Sequence, residues 1–234
     1  MINLSFLKTN AEKMGVLLDD TALERFALLA QMLVDWNGRV NLTAITEPDE
    51  IVMKHFIDSI TPLAHIDLPE GARVIDVGCG AGFPGLPILI ARPDLKITFL
   101  DSISKKLSFI EAFLNEAGLF GETLHERAEM IGKQAEHREQ YDAAFTRAVA
   151  PLNVLAEYCL PLVKVGGTYV SMKGAQSEAE LGKNAITEMG GVLEKVIQLE
   201  LPNADRRNLV IIKKVSQTAT KYPRKSKKID TCPL

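Results

Sequence analysis

The sequence predicts an α/β fold: a mostly parallel sheet of seven strands, one of them antiparallel, preceded by an α-helical extension. Three observations carry that expectation. The 234 residues are 47% apolar and 24% charged, a globular composition on a chain long enough for one large core. From about residue 72 onwards, short apolar runs alternate with amphipathic stretches of helical period, which is how strands joined by crossover helices read in sequence. Upstream of that point the pattern is helical and offers its helices no strand partner.

The helical part comes first. Thr21-x-x-Glu24 reads as a capping box, and Leu23, Phe26, Ala27, Ala30 and Leu33 recur at helical spacing as far as Trp36. The turn-rich run Asn37-Gly38-Arg39-Val40-Asn41 is expected to end that helix. A second helix is expected from about Pro48 to Ile60, with Ile51, Val52, His55, Phe56 and Ser59 along one side. These helices make up an extension over residues 1–65, and the larger domain occupies 66–234. Within it the expected strands are 72–77, 96–100, 123–125, 143–146, 168–172, 192–199 and 209–213. The expected helices are 86–91, 104–117, 152–162 and 177–189. The last two strands are separated only by Pro202-Asn203-Ala204-Asp205, which predicts a hairpin and hence one antiparallel strand at the end of the sheet.

Charge is unevenly spread. The chain carries 27 Lys+Arg against 30 Asp+Glu, yet residues 206–228 hold Arg206, Arg207, Lys213, Lys214, Lys221, Arg224, Lys225, Lys227 and Lys228 and no acid. A basic end on an acidic body is the footprint of a polyanion binder; the plainer reading is a solvated tail whose loss costs little stability. Cys79, Cys159 and Cys232 are odd in number and widely spaced, so neither a disulfide framework nor a CxxC pair is suggested. Four scattered histidines give no metal-ligand spacing, and no metal is expected. The N-terminal MINLSFLKTN lacks a basic region and a long apolar core, so a cytoplasmic protein without a membrane span is expected.

The strongest local signal is Val74-Ile75-Asp76-Val77-Gly78-Cys79-Gly80-Ala81-Gly82-Phe83-Pro84-Gly85, an apolar strand running into alternating glycines. Such a turn lets main-chain N–H groups face an anionic group at the next helix. Gly80-x-Gly82-x-x-Gly85 formally satisfies the dinucleotide fingerprint, and Asp101 follows Gly82 by 19 residues, where a ribose-binding acid stands; helix capping is its other reading. Pro84 and Pro87 remove donors that a diphosphate would need, and Asp76 adds an anion beside the loop. An ammonium-bearing ligand suits that mixture, and S-adenosylmethionine fits it. A NAD(P)-dependent oxidoreductase is the alternative.

The run Asp76-Val-Gly78-Cys-Gly80-Ala-Gly82-Phe83-Pro84-Gly85 resembles the cofactor loop of class I S-adenosylmethionine-dependent methyltransferases. More closely it resembles that of the bacterial 16S (small-subunit) rRNA 7-methylguanosine methyltransferase G family, also called glucose-inhibited division protein B. Further pieces of the likeness are Trp36-Asn37 with Asn41-Leu42-Thr43, His55 with Asp58-Ser59, Leu100-Asp101-Ser102 with Lys105-Lys106, Arg127-Ala128-Glu129, Arg147-Ala148-Val149-Ala150, Lys173-Gly174 and Tyr222-Pro223-Arg224-Lys225. A Gly usually follows that last run in the family, where this chain continues Ser226-Lys-Lys-Ile-Asp.

The resemblance implies a Rossmann-like methyltransferase that uses S-adenosylmethionine to methylate guanine N7 in small-subunit ribosomal RNA, free or in a ribosomal particle; a monomer is expected. It implies a cofactor site of Asp76, Gly78, Gly80, Gly82, Phe83, Asp101, Ser102, Ala128, Glu129 and Arg147. The Gly78 and Phe83 region would meet the methionine end, Asp101 the ribose, Ala128 and Glu129 the adenine edge, and Arg147 the mouth beside the transferred methyl. Arg147, Lys173 and Arg207 are candidates for positioning the base or its phosphates, and Lys105, Lys106, Arg207, Lys221, Arg224 and Lys225 for holding RNA. Guanine N7 has a lone pair and no proton to lose, so no catalytic base or nucleophile is required. Where exocyclic-amine methyltransferases carry an Asn/Asp-Pro-Pro-aromatic tetrad, this chain reads Thr146-Arg147-Ala148-Val149. His55, Asp58 and Ser59 share a helix face, and packing or holding the extension over the cofactor mouth is expected of them, not a hydrolase triad. A catalytically idle RNA-binding assembly factor is the second alternative.

Overall fold

The computed structural model describes residues 1–234. Its first layer is helical. Helix α1 (Leu4–Lys13) and helix α2 (Asp20–Val40) are followed by a continuous winding over residues 48–60: α3 (Pro48–Glu50), a π-helical stretch (Ile51–Ile57) and α4 (Asp58–Ile60). The boundaries of α2 differ from expectation at both ends. Its N-cap is Asp19, whose carboxylate accepts from the Ala22 N–H at 2.7 Å, while Thr21 lies inside the first turn. A stronger acceptor two residues upstream displaces the capping box. At the far end the helix runs through Asn37-Gly38-Arg39 to Val40 and closes on Asn41, left-handed at φ 52. The Asn37 side chain instead acts beyond the helix, accepting from Leu42 N–H (2.7 Å) and Thr43 N–H (2.9 Å).

All seven expected strands form. They are β1 (Arg73–Val77), β2 (Lys96–Asp101), β3 (Gly121–His125), β4 (Tyr141–Arg147), β5 (Val163–Lys173), β6 (Gly191–Glu200) and β7 (Arg206–Lys214). Between them lie α5 (Gly85–Ala91), α6 (Ser104–Ala117), α7 (Ala128–Ile131), α8 (Leu152–Cys159) and α9 (Ala179–Glu188), and α10 (Ser226–Thr231) closes the chain. The sheet order is β3-β2-β1-β4-β5-β7-β6, with β7 antiparallel to both neighbours. One strand is therefore antiparallel, as expected, but it is not at the sheet's end. The crossover through α9 sets β6 one position beyond β5, and the short connection folds β7 back into the gap.

Alternate residues of each strand feed two cores. On one face a 40-residue cluster runs from Leu7 and Phe26 through Phe56 to Phe99, Phe113, Phe145 and Ile211, so the helical extension shares its core with the sheet. On the other face Ile75, Leu100, Tyr169 and Ile212 pack with Leu155, Cys159 and Ile186. Trp36 packs edge-on to Phe109 with ring centroids 5.7 Å apart, a core role. No helix is long and apolar enough to cross a membrane.

The basic end is not a solvated tail. Arg138 donates to the carbonyls of Gly132, Thr218 and Tyr222, and Lys214 is fully buried against Glu139, Thr218 and the Leu160 carbonyl. Arg224 grips the fully buried Glu157 through contacts of 2.9, 3.0 and 2.6 Å, and Ile229 is sealed from solvent. Tyr222, Pro223 and Ile229 give the segment an apolar side that a count of its charges conceals. Its loss exposes the surface that side covers and strands Glu157, contrary to the expectation of small cost.

Candidate functional site

The loop after β1 holds its own backbone together. Gly78 and Cys79 donate to the Leu100 carbonyl, Gly82 and Phe83 to that of Cys79, and Gly80 N–H donates to Asp101 Oδ2 at 2.8 Å. Ala81 keeps an N–H with no protein acceptor. The expected fan of free donors is thus reduced to one group, a poor match to a diphosphate and hence to NAD(P). The glycines divide by task. A Cβ on Gly82 would stand 2.5 Å from Leu86 Cδ1, so that glycine serves packing, whereas at Gly80, left-handed at φ 57, the nearest atom would be Lys106 Nζ at 4.0 Å. Gly80 opens onto a cavity.

Asp76 lies behind this loop and not on a cavity wall, which corrects its place among the expected ligand contacts. It is fully buried, Oδ2 accepts from Gly85 N–H at 2.8 Å, Oδ1 has no partner, and burial pushes its carboxyl up to about 7. Gly82 is likewise absent from the walls of the two cavities described below.

Across the carboxyl ends of β1 to β4 lies a cavity of about 470 Å³, where ligands of doubly wound sheets bind. Its walls include Gly78, Gly80 and Phe83 from the loop, Asp101 at the end of β2 with Ser102 after it, Ala128 and Glu129 after β3, and Arg147 at the end of β4. Those eight expected residues meet at one place. Asp101 spends one lone pair on Gly80 N–H and another on Ile103 N–H (2.9 Å). It does not cap α6, whose N-cap is Ile103. Glu129, on the wall but buried, is paired with Arg127 Nε at 2.7 Å. Lys106, expected on an RNA surface, is on the wall of this cavity, while Lys105 is exposed.

The extension contributes Leu42, Thr43 and His55 to the same wall. His55 stacks on Phe83 with centroids 4.3 Å apart, and its Nδ1 accepts from Arg147 at 3.1 Å. Its Nε2–H therefore donates to Thr43 Oγ1 at 2.9 Å. Burial, helped by the Arg147 charge, lowers His55 to about 3, so the ring is neutral. Arg147 further donates to the Lys54 carbonyl at 2.7 Å and reaches Asp58 at 3.4 Å, with its guanidinium 5.3 Å from the Phe83 centroid. The helix face of His55 and Asp58 is the mount for Arg147. Ser59 is buried, its hydroxyl without a partner.

A second cavity of about 630 Å³ shares His55, Arg147, Ala148 and Val149 with the first. Ala148, left-handed at φ 55, turns the chain between them. Lys173 and Arg207 also line it, so the three positioning candidates converge. Lys173 pairs with Glu178 at 2.9 Å and donates to the Ala150 carbonyl at 2.7 Å, and Arg207 reaches Asp58 at 3.3 Å. Of the remaining expected RNA contacts, Lys221 and Lys225 are exposed, but Arg224 is committed to Glu157 and is corrected to a structural role. Tyr158 and Leu155 on α8 line the first cavity without having been singled out. Their periodicity is that of core residues, and only the fold turns them towards a ligand.

This sheet order, with its cavity outside the carboxyl ends of the first strands, is the architecture of class I methyltransferases, and solved structures share it. A SAM-dependent O-methyltransferase from Thermotoga maritima has a TM-score of 0.52 at 19% identity, over 80% of this chain and 72% of its own. TrmN from Thermus thermophilus has 0.52 at 18% identity, over 68% and 48%. Sequence narrows the class. Residues 22–211 match the family model for rRNA small subunit methyltransferase G. The ribosomal RNA small subunit methyltransferases G of Alkaliphilus metalliredigens and Bacillus subtilis are 45% and 44% identical, covering 94% and 96% of this chain and 93% and 95% of their own. The chain belongs to the rRNA small subunit methyltransferase G family, and it is a methyltransferase.

Proposed function

We propose that the protein methylates N7 of a guanine in small-subunit ribosomal RNA, with S-adenosylmethionine in the first cavity and the guanine in the second. The observation that carries this reading is the meeting of the two cavities at Arg147, Ala148 and Val149. When bound, the cofactor supplies an electrophilic methyl group on a sulfonium. The residues present fit it: Gly80 leaves room, Ala81 has a free N–H for a carboxylate, and Asp101 retains lone pairs for ribose hydroxyls. Ala128 and Glu129 take the adenine edge.

The remaining work is positioning. Arg147 is held by His55, Asp58 and the Lys54 carbonyl, so its guanidinium meets the base without first being ordered. Lys173 and Arg207 flank the base or its phosphates. N7 carries no proton, and the neutral His55 has both ring nitrogens engaged, so neither chemistry nor geometry calls for a base. Residues 1–65 act as an extension that completes the site of the 66–234 domain through Thr43 and His55. One chain lines both cavities, as a monomer would.

The test is to map 7-methylguanosine in ribosomal RNA from cells with and without the protein, then restore it with wild type or Asp101→Ala. One small-subunit guanine should lose its methyl group without the protein and regain it only with wild type. An unchanged map, or restoration by Asp101→Ala, overturns the reading.

A further inference from the structure

The cavity wall beside Ala128 and Glu129 is tied from behind to the last helix. Arg127, whose Nε holds Glu129, donates through its NH2 group to Ser226 Oγ at 2.6 Å. Tyr158, also on the wall, donates to Asp230 Oδ1 at 2.9 Å, and Ser226 Oγ donates to Asp230 Oδ2 at 3.2 Å. One carboxylate thus gathers both lines. Burial and the Asp230 carboxylate push the Tyr158 hydroxyl up to about 12, so it remains a donor. The helix is itself anchored: it packs on α8, Ile229 is sealed from solvent, and Arg224 just before it grips Glu157, the neighbour of Tyr158. Ser226 stands where the Tyr-Pro-Arg-Lys run gives way to this chain's own ending.

We propose that Ser226 and Asp230 are positioning residues for cofactor binding: the C-terminal helix clamps Arg127, Glu129 and Tyr158, setting affinity through residues that never touch the ligand. The proposal rests on the reading that the first cavity holds S-adenosylmethionine. Neither side chain lines that cavity, so their effect must pass through the two wall residues they hold.

Calorimetric titration of S-adenosylmethionine into the full chain decides it, with thermal melting run on each variant. Asp230→Ala should weaken binding about five- to tenfold, the equivalent of one lost hydrogen bond, with little change in melting. Asp230→Asn keeps an acceptor for Tyr158 and should recover much of the loss. Tyr158→Phe should resemble Asp230→Ala, and the double variant should be no weaker than either single one. In methylation assays the loss should fall on KM for the cofactor and not on kcat. Wild-type affinity in Asp230→Ala overturns the proposal, as does an additive double variant or a loss that merely follows melting. Gly80→Val separates this from a failure of the cavity assignment. If wild type fails to bind, or Gly80→Val binds equally well, the cavity is wrong; if Gly80→Val loses binding and Asp230→Ala keeps it, only the clamp is.

Discussion

Asp76 holds one end of the glycine loop through Gly85, His55 stacks on Phe83 within it, and burial moves their ionisation in opposite senses. Asp76 is raised from 3.8 to about 7, so between those values the folded state binds the extra proton and stability falls as pH rises. His55 is lowered from 6.5 to about 3, so there the unfolded state binds the extra proton and stability rises with pH. The two slopes oppose each other from about pH 4 to 6.5. Asp76→Asn should therefore gain stability relative to wild type as pH rises from about 4 to 7, by up to about 1.4 kcal/mol per unit. Urea unfolding across that range checks this; a constant difference would mean that Asp76 titrates normally. At Gly80 a branched side chain meets a left-handed backbone and enters the cavity. Gly80→Val should keep a native-like circular dichroism spectrum and lose cofactor binding by calorimetry. Gly80, Asp101 and Arg147 were legible because each ends or follows a strand beside its own motif. Asp76 was misplaced for a local reason: the sequence puts an acid at the loop but does not reveal which side of the backbone it occupies.

At the level of elements, the segment after β7 departs most from its sequence reading. Fully buried Glu157 has Arg224 as its cation, so breaking the pair leaves a stranded charge. Arg224→Gln should lower the unfolding free energy by about 3–5 kcal/mol, readable in urea titrations; a cost within about 0.5 kcal/mol, typical of a surface site, would return the segment to a solvated tail. The partners lie 67 residues apart, and no local pattern announces such a pairing. The strands were legible because apolar runs bounded by turns are local signals. The insertion of β7 between β5 and β6 was not, because adjacency in a sheet is settled by crossover geometry. The α2 cap failed more narrowly: Asp19 and Thr21 both offer acceptors, and the capping-box spacing to Glu24 drew the reading to the weaker one.

Over the whole molecule, the acidic body and basic end survive as a surface asymmetry, now with fewer free cations. Arg224 and Lys214 are committed inside, while Lys221, Lys225, Lys227 and Lys228 remain exposed. Replacing those four by Gln should reduce the log–log salt slope of RNA affinity by about 0.7–0.9 per phosphate contact removed. Cofactor affinity should stay unchanged, and filter binding over a salt series measures the slope. An unaltered slope would move the RNA surface towards Lys105 and Arg207. The late entry of β7 between two earlier strands also bears on how the chain is made. While it emerges from the ribosome, β5 has an open edge and β6 has no place in the sheet until residues 206–214 arrive. Only then can Arg224 and the last helix latch onto α8. A nascent chain stalled before residue 206 is thus no smaller enzyme. It presents unpaired strand edges, which makes it a client for chaperones and proteases.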